Sequence, residues 1–137
     1  LEGVEKPGQK RIINRKKFKY DKLKEDLVNS DSREYKIFTE FTKLIYIRKS
    51  EKAFHPNGKQ EVLFLKKGIF SLLRTSPDGG KKIIALHNVT NNMQKFCFTK
   101  NQYGLNKKEC FDIISEKTIN IEKISLKPYQ IMWLKIF

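Results

Sequence analysis

Residues 69–90 read IFSLLRTSPDGGKKIIALHNVT, and this stretch decides the fold class. Ser76–Gly80 (SPDGG) stands between two apolar runs, and an Asp-Gly pair readily takes the positive φ that a tight hairpin needs. Ile69–Thr75 and Lys82–Thr90 therefore read as two antiparallel strands. Ile83–Leu86 is apolar at both alternations, the pattern of a strand buried on both faces. The same grammar continues outward. Glu61–Leu65, Gln94–Thr99, Glu109–Ser115, Ile119–Leu126 and Tyr129–Phe137 are further short apolar segments, with Pro128 separating the last two. Short strands of this kind joined by turns predict a sandwich of antiparallel sheets.

Upstream the period changes from two to three and four. Ile37, Phe38, Phe41, Leu44, Ile45 and Arg48 fall on one side of a helix predicted over Ser30–Lys49. Ser30, Asp31 and Ser32 offer the N-cap. Arg48 closes the stripe, at its solvent edge or as a buried ion-pair partner. FHPNGKQ (54–60) ends the helix through Pro56 and Gly58. Leu1–Lys24 carries nine basic residues against three acidic ones, together with Gly3, Pro7 and Gly8, and reads as a loop with a short helical turn. A helix with one apolar stripe must be covered, and one face of a small β domain does not cover all of it.

Composition narrows the function classes. In 137 residues, 39% hydrophobic and 12% aromatic content argue for a packed core over disorder. The net charge of +14 raises the question of a polyanionic partner. Only five of the 29 basic residues are Arg, whereas specific nucleic-acid readers lean on Arg for bidentate contacts. The charge is also spread, +6 in residues 1–24 and +8 in the rest, so a nucleic-acid partner is disfavoured. Cys97 and Cys110 have no metal-ligand spacing and read as free thiols of a reduced compartment. No run of 18 apolar residues offers a membrane span. The first residues lack a signal peptide's pattern, and the chain reads as a piece of something longer. No glycine-rich phosphate loop, nucleophile elbow or metal-spaced cluster occurs. His87 lies inside a strand and reads as structural. Trp133, Tyr103 and Tyr129 are the aromatic groups for a non-catalytic carbohydrate-binding sandwich, but Trp133 alternates with Met132 and Leu134 as a core residue does.

Three segments in order, KRIINR (10–15), LIYIRKSEKAFHPNGKQEVL (44–63) and ISLKPYQIMWLKI (124–136), resemble the C-terminal part of the α-amylase clan. Within it the resemblance is to sucrose phosphorylases and glucosylglycerate phosphorylases. It implies a mainly β chain: a C-terminal antiparallel β-sandwich over residues 54–137, preceded by a loop and one amphipathic helix. Residues 1–53 would be the end of a (β/α)8 catalytic barrel, with Ser30–Lys49 as its last helix and Leu1–Asn29 as the end of its last βα loop. In such barrels the active site lies at the C-terminal ends of the strands, so that loop would border substrate.

The resemblance also implies a retaining reaction. A carboxylate forms a glucosyl ester with the enzyme, a second carboxyl acts as acid and base, and phosphate then attacks to give α-glucose 1-phosphate. The family's catalytic acids lie upstream, and none of the 15 acids here matches their motifs, so this piece alone is expected to be inactive. The family's R-x-I-N-R element matches Arg11, Asn14 and Arg15. Arg11 would hydrogen-bond a sugar hydroxyl at the glucosyl subsite or pair with an acid that does, a task suited to a planar guanidinium. Asn14 and Arg15 would line or anchor the same loop. Sucrose phosphorylases often place an acid after the first arginine. Ile12 stands there, which leaves glucosylglycerate or another acceptor open. The implied partners are an α-glucoside and phosphate, with no cofactor, no metal and no membrane, in a cytoplasmic enzyme.

Overall fold

A computed structural model describes residues 17–99 and 101–136. The chain divides into two compact units, Leu1–Lys43 and Leu44–Phe137. In the first unit, helix α1 spans Tyr20–Val28. The sequence reading placed a loop with only a short turn here. Leu23 and Leu27, half-buried at i and i+4, give the segment a helical period that continues past Lys24. Helix α2 spans Arg33–Ser50. Its cap is the last of the three candidates: Ser32 Oγ accepts the N–H of Tyr35 at 2.9 Å, satisfying one of the orphan donors of the first turn.

No residue of α2 is fully buried. Ile37, Phe38, Phe41 and Ile45 are 53, 56, 63 and 44% exposed, and Arg48 lies at the exposed edge of the stripe. One flank of the helix behaves differently. Leu44 and Ile47, three residues apart, pack into a buried cluster of the second unit.

The second unit begins with that helix end and a 3-10 turn at Lys52–Phe54. Among the described residues eight strands follow: β1 (Lys59–Leu63), β2 (Ile69–Thr75), β3 (Lys82–Asn88), β4 (Gln94–Phe96), β5 (Glu109–Asp112), β6 (Lys117–Asn120), β7 (Ile124–Leu126) and β8 (Ile131–Ile136). Six form one antiparallel sheet in the order β1-β2-β3-β8-β5-β6, and β4 pairs with β7 in a second. The expected single strand over Ile119–Leu126 is therefore two. Asn120 Oδ1 accepts the N–H of Glu122 and Asn120 O accepts that of Lys123, turning the chain between them. The break is visible as a slip in parity: Ile119 and Ile121 are apolar at odd positions, Ile124 and Leu126 at even ones.

The hairpin forms as expected. Thr75 pairs with Lys82, Gly79 adopts φ +73°, and Ser76 Oγ joins the Asp78 carboxylate across the turn. That β3 is buried on both faces is also confirmed, because the large sheet has a core on each side. On one face Leu63, Leu73, Ile84, Leu86, Met132 and Leu134 pack with Ile124 and Leu126 of β7 and with Phe98. On the other face Ile83, Ala85 and Trp133 meet Ala53, Phe54 and the helix residues Leu44 and Ile47. The two β layers are thus unequal, six strands against two. The side of the large sheet away from β7 is covered by the helix end, not by strands. At β1, an edge strand, Lys59, Gln60 and Glu61 are polar and exposed, which blunts edge-to-edge pairing.

Candidate functional site

Arg11, Asn14 and Arg15 lie outside the described residues, which begin at Lys17. The polar constellations that are described belong to the β unit, and each can be read for chemistry.

The first holds the helix exit onto the sheet. Arg74 of β2 donates from Nη2 to His55 O at 2.7 Å, from Nε to Ala53 O at 3.3 Å and from Nη1 to Gln60 Oε1 at 3.0 Å. Lys135 of β8 donates to Glu51 Oε1 at 2.7 Å, with both side chains largely buried. Two long basic side chains from separate strands thereby bracket residues 51–55. The fork geometry of the guanidinium suits the two carbonyls of Ala53 and His55. Neither Arg74 nor Lys135 stands out in the sequence, because each partner is far from it along the chain.

The second is the carboxylate of Asp112, 1% exposed. Its oxygens accept from Trp133 N at 2.8 Å, Ser115 Oγ at 2.6 Å, and Ile114 N and Ser115 N at 3.3 Å each. A buried carboxyl group with that many donors has its acceptors satisfied and anchors the β5–β6 turn to β8. Its lone pairs are committed to the fold, which argues for a structural and against a catalytic role. Asn88 does the same at the far end of β3. Its Nδ2 donates to Asn92 O and Lys127 O, and its Oδ1 accepts from Thr90 N and Oγ1.

His87 is half-buried with its ring edge-on to Phe70, centroids 5.8 Å apart. Burial holds its pKa below the usual histidine value. His55 is exposed and accepts the N–H of Asn57. Cys97 is exposed and Cys110 buried, both free, and burial pushes the Cys110 thiol up. Among the described residues no group of three or more His, Cys, Asp or Glu side chains could hold a metal ion. No described helix is long and apolar enough to cross a membrane.

A groove of about 530 Å³ runs past Lys95–Cys97 and Glu122–Ser125. It offers one carboxylate, Glu122, engaged by Lys108 at 3.4 Å, where double displacement on a sugar needs two. Trp133 is 8% exposed and packs against Phe54, as the core reading expected, so it offers no flat platform to a sugar. Tyr103 is edge-on to Phe98 and half-buried. Among the described residues, the Arg74, Asp112 and Asn88 side chains hold backbone groups, and Arg74 and Lys135 hold the end of α2 to the sheet.

No family model matches the chain. It is 32% identical over 133 residues to a glucosylglycerate phosphorylase of Escherichia coli, covering 97% of this chain and 22% of that protein. It is 38% identical over 97 residues to a glucosylglycerate phosphorylase of Spirochaeta thermophila, covering 71% of this chain and 16% of that one. The chain thus spans about a fifth of the length of the curated relatives it matches. Among solved structures it is similar to an Anoxybacillus α-amylase, at a TM-score of 0.60 and 20% identity over 81% of this chain and 25% of that one. It is also similar to AmyP in complex with maltose, at a TM-score of 0.64 and 18% identity over 79% and 22%. These structural likenesses establish the fold alone. Homologues named glucosylglycerate phosphorylase cover the chain, and its structural neighbours are α-amylase-family glycosidases, as expected of the C-terminal region of such an enzyme.

Proposed function

We propose that these 137 residues are the C-terminal region of a cytoplasmic, retaining α-glucoside phosphorylase that acts on glucosylglycerate and phosphate. The observation that carries this reading is the identity with glucosylglycerate phosphorylases along nearly the whole chain. The uncovered stripe of α2 supports it. Ile37, Phe38, Phe41 and Ile45 form the face that the last helix of a (β/α)8 barrel turns inward. On this reading residues 1–53 close the catalytic barrel and residues 54–137 form the C-terminal β domain. The catalytic carboxylates lie in the preceding barrel, and this piece by itself is inactive.

Arg11, Asn14 and Arg15 then border the glucosyl subsite. On this reading Arg11 would hold a sugar hydroxyl through its fork of donors, while phosphate displaces the enzyme carboxylate from the anomeric carbon and α-glucose 1-phosphate leaves. Glucosylglycerate is preferred over sucrose for two reasons. The matched relatives carry that name, and Ile12 stands where sucrose phosphorylases often place an acid.

The test uses the full-length polypeptide that contains this chain. Phosphate-dependent release of glucose 1-phosphate from glucosylglycerate should exceed that from sucrose. No turnover of any α-glucoside, with phosphate or with water, would overturn the reading. In the same protein Arg11→Ala should lower kcat/KM by on the order of a hundredfold, as removal of a transition-state hydrogen bond does. Lys17→Ala should leave it nearly unchanged. Equal effects would remove Arg11 from the subsite.

A further inference from the structure

Three turns meet at one end of the large sheet. Register puts them there: Leu63 of β1 pairs with Ser71, Ile69 of β2 with Asn88, and His87 of β3 with Ile131. The turns 64–68, 89–93 and 127–130 therefore leave neighbouring strands at the same end. Hydrogen bonds tie them to one another. Val89 N donates to Gly68 O at 3.0 Å, and Tyr129 N donates to Thr90 O at 3.2 Å. The buried Asn88 side chain donates to Asn92 O at 2.7 Å and to Lys127 O at 2.8 Å. What this cross-linked end presents to water is apolar. Phe64 is 94%, Tyr129 68%, Val89 60% and Met93 54% exposed.

Tyr129 is held there against its own preference. It takes φ +56°, directly after Pro128 in a turn closed by Gln130 N on Lys127 O. Such a turn favours Gly or Asn at that position. A bulky side chain takes the left-handed region only where its surroundings enforce it, and such residues cluster at functional sites. Burial does not explain the conformation, because the ring is exposed.

The charge around these tips has one sign. The turns carry Lys67 and Lys127, together with Lys66, whose Nζ donates to Lys95 O at 3.0 Å. Neither the turns nor β2, β3, β4, β7 and β8 contain an Asp or a Glu. Apolar tips among ammonium groups, with no carboxylate between them, complement an anionic lipid surface. Side chains of this kind enter the headgroup boundary, and lysines reach the phosphates from above it. A base would stack on Phe64 and Tyr129 but would gain nothing from Val89 and Met93. A second copy, which also carries +14, would set the same lysines against one another. Contact of this peripheral kind needs no spanning helix.

We propose that this end of the β unit is a peripheral docking surface for an anionic lipid bilayer. Phe64, Val89, Met93 and Tyr129 enter the interface, while Lys67 and Lys127 meet the headgroups. The inference goes beyond the phosphorylase reading and does not depend on it.

Co-sedimentation of the full-length polypeptide with vesicles tests it. Vesicles of phosphatidylcholine containing about 30% phosphatidylglycerol should carry down several-fold more protein than phosphatidylcholine alone, and about 0.5 M salt should reduce the difference. Tyr129→Gly removes the ring at a position that favours Gly, so the turn itself is spared. This variant and Phe64→Ser should each lower the bound fraction by about threefold or more. Lys67→Glu should lower it likewise, whereas Lys81→Glu, the same change of charge at the opposite end of the sheet, should not. Absence of binding to either vesicle would overturn the docking surface. Equal losses in Lys67→Glu and Lys81→Glu would overturn it in favour of diffuse net charge. A dimer in the absence of vesicles that Tyr129→Gly disperses would overturn it in favour of a second copy. The readout needs no turnover. An inactive protein that binds vesicles would count against the phosphorylase alone, and an active protein that does not bind would count against the docking alone.

Discussion

The ring of Phe54 lies 4.7 Å, centroid to centroid, from the indole of Trp133, tilted by 55°. One ring belongs to the 3-10 turn that follows α2 and the other to the central strand β8, so this contact joins the helix exit to the sheet. Both residues are at least nine-tenths buried. Phe54→Ala should therefore destabilise the β unit by about 3–5 kcal/mol, the usual cost of an aromatic cavity in a core. Trp133, the single Trp of the chain, reports the transition by fluorescence in urea. A shift worth less than about 1 kcal/mol would show that the helix exit is held by other means.

Asp112 should matter to the fold through the donors it accepts from. Asp112→Asn turns an amide NH₂ toward at least one of the donors that the carboxylate now accepts. The expected loss is about 1–3 kcal/mol, the cost of leaving a buried donor without its acceptor. Asp78→Asn is the exposed comparison, since Asn suits the same turn position. Chemical denaturation of the two variants should rank Asp112→Asn clearly as the more damaging, and equal losses would contradict its structural role.

Gly58 is required by close approach. A Cβ at this position would meet Thr75 O at 2.5 Å and His55 O at 3.0 Å, both backbone atoms. Gly58→Ala should cost about 1–3 kcal/mol through forced backbone shifts. A thermal melt reads the loss, and an unchanged Tm would mean that the 55–58 turn moves aside without cost.

His87 predicts the direction of a pH dependence. Burial lowers its pKa in the folded protein, so just below the ordinary histidine value the unfolded chain binds more protons than the folded one. Stability is then full above that value and falls as the pH drops toward the depressed folded value. Unfolding midpoints at about pH 7.5 and about pH 5.5 should differ less in His87→Gln than in the unchanged protein. The same slope in both would assign the dependence to other groups.

Local chemistry was legible in particular residues. Ser76–Gly80 specified the β2–β3 hairpin because Asp-Gly relieves the cost of positive φ within the turn itself. Ile83–Leu86 specified a strand buried on both sides, because apolar residues at both alternations leave no face for water. Helix α2 was legible from its period and from a serine cap three residues before Tyr35. Helix α1 was legible too, but the glycines and proline upstream outweighed Leu23 and Leu27. The split between β6 and β7 showed only as a change of parity between Ile121 and Ile124. The candidate site was legible only as the R-x-I-N-R spacing of Arg11, Asn14 and Arg15, since a loop has no period to read.

The sequence by itself determined which segments turn, coil or extend, because those preferences are decided within a few residues by sterics, capping and alternation. Only the tertiary structure decided that the last strand, β8, enters the middle of the sheet between β3 and β5. It also decided that Arg74 and Lys135 bracket the end of α2, and that the turns bearing Phe64, Val89 and Tyr129 meet at one end of the sheet. Those choices depend on which apolar surfaces bury one another across tens of residues of chain. Such contacts are set by total burial and chain closure, and no single segment carries them.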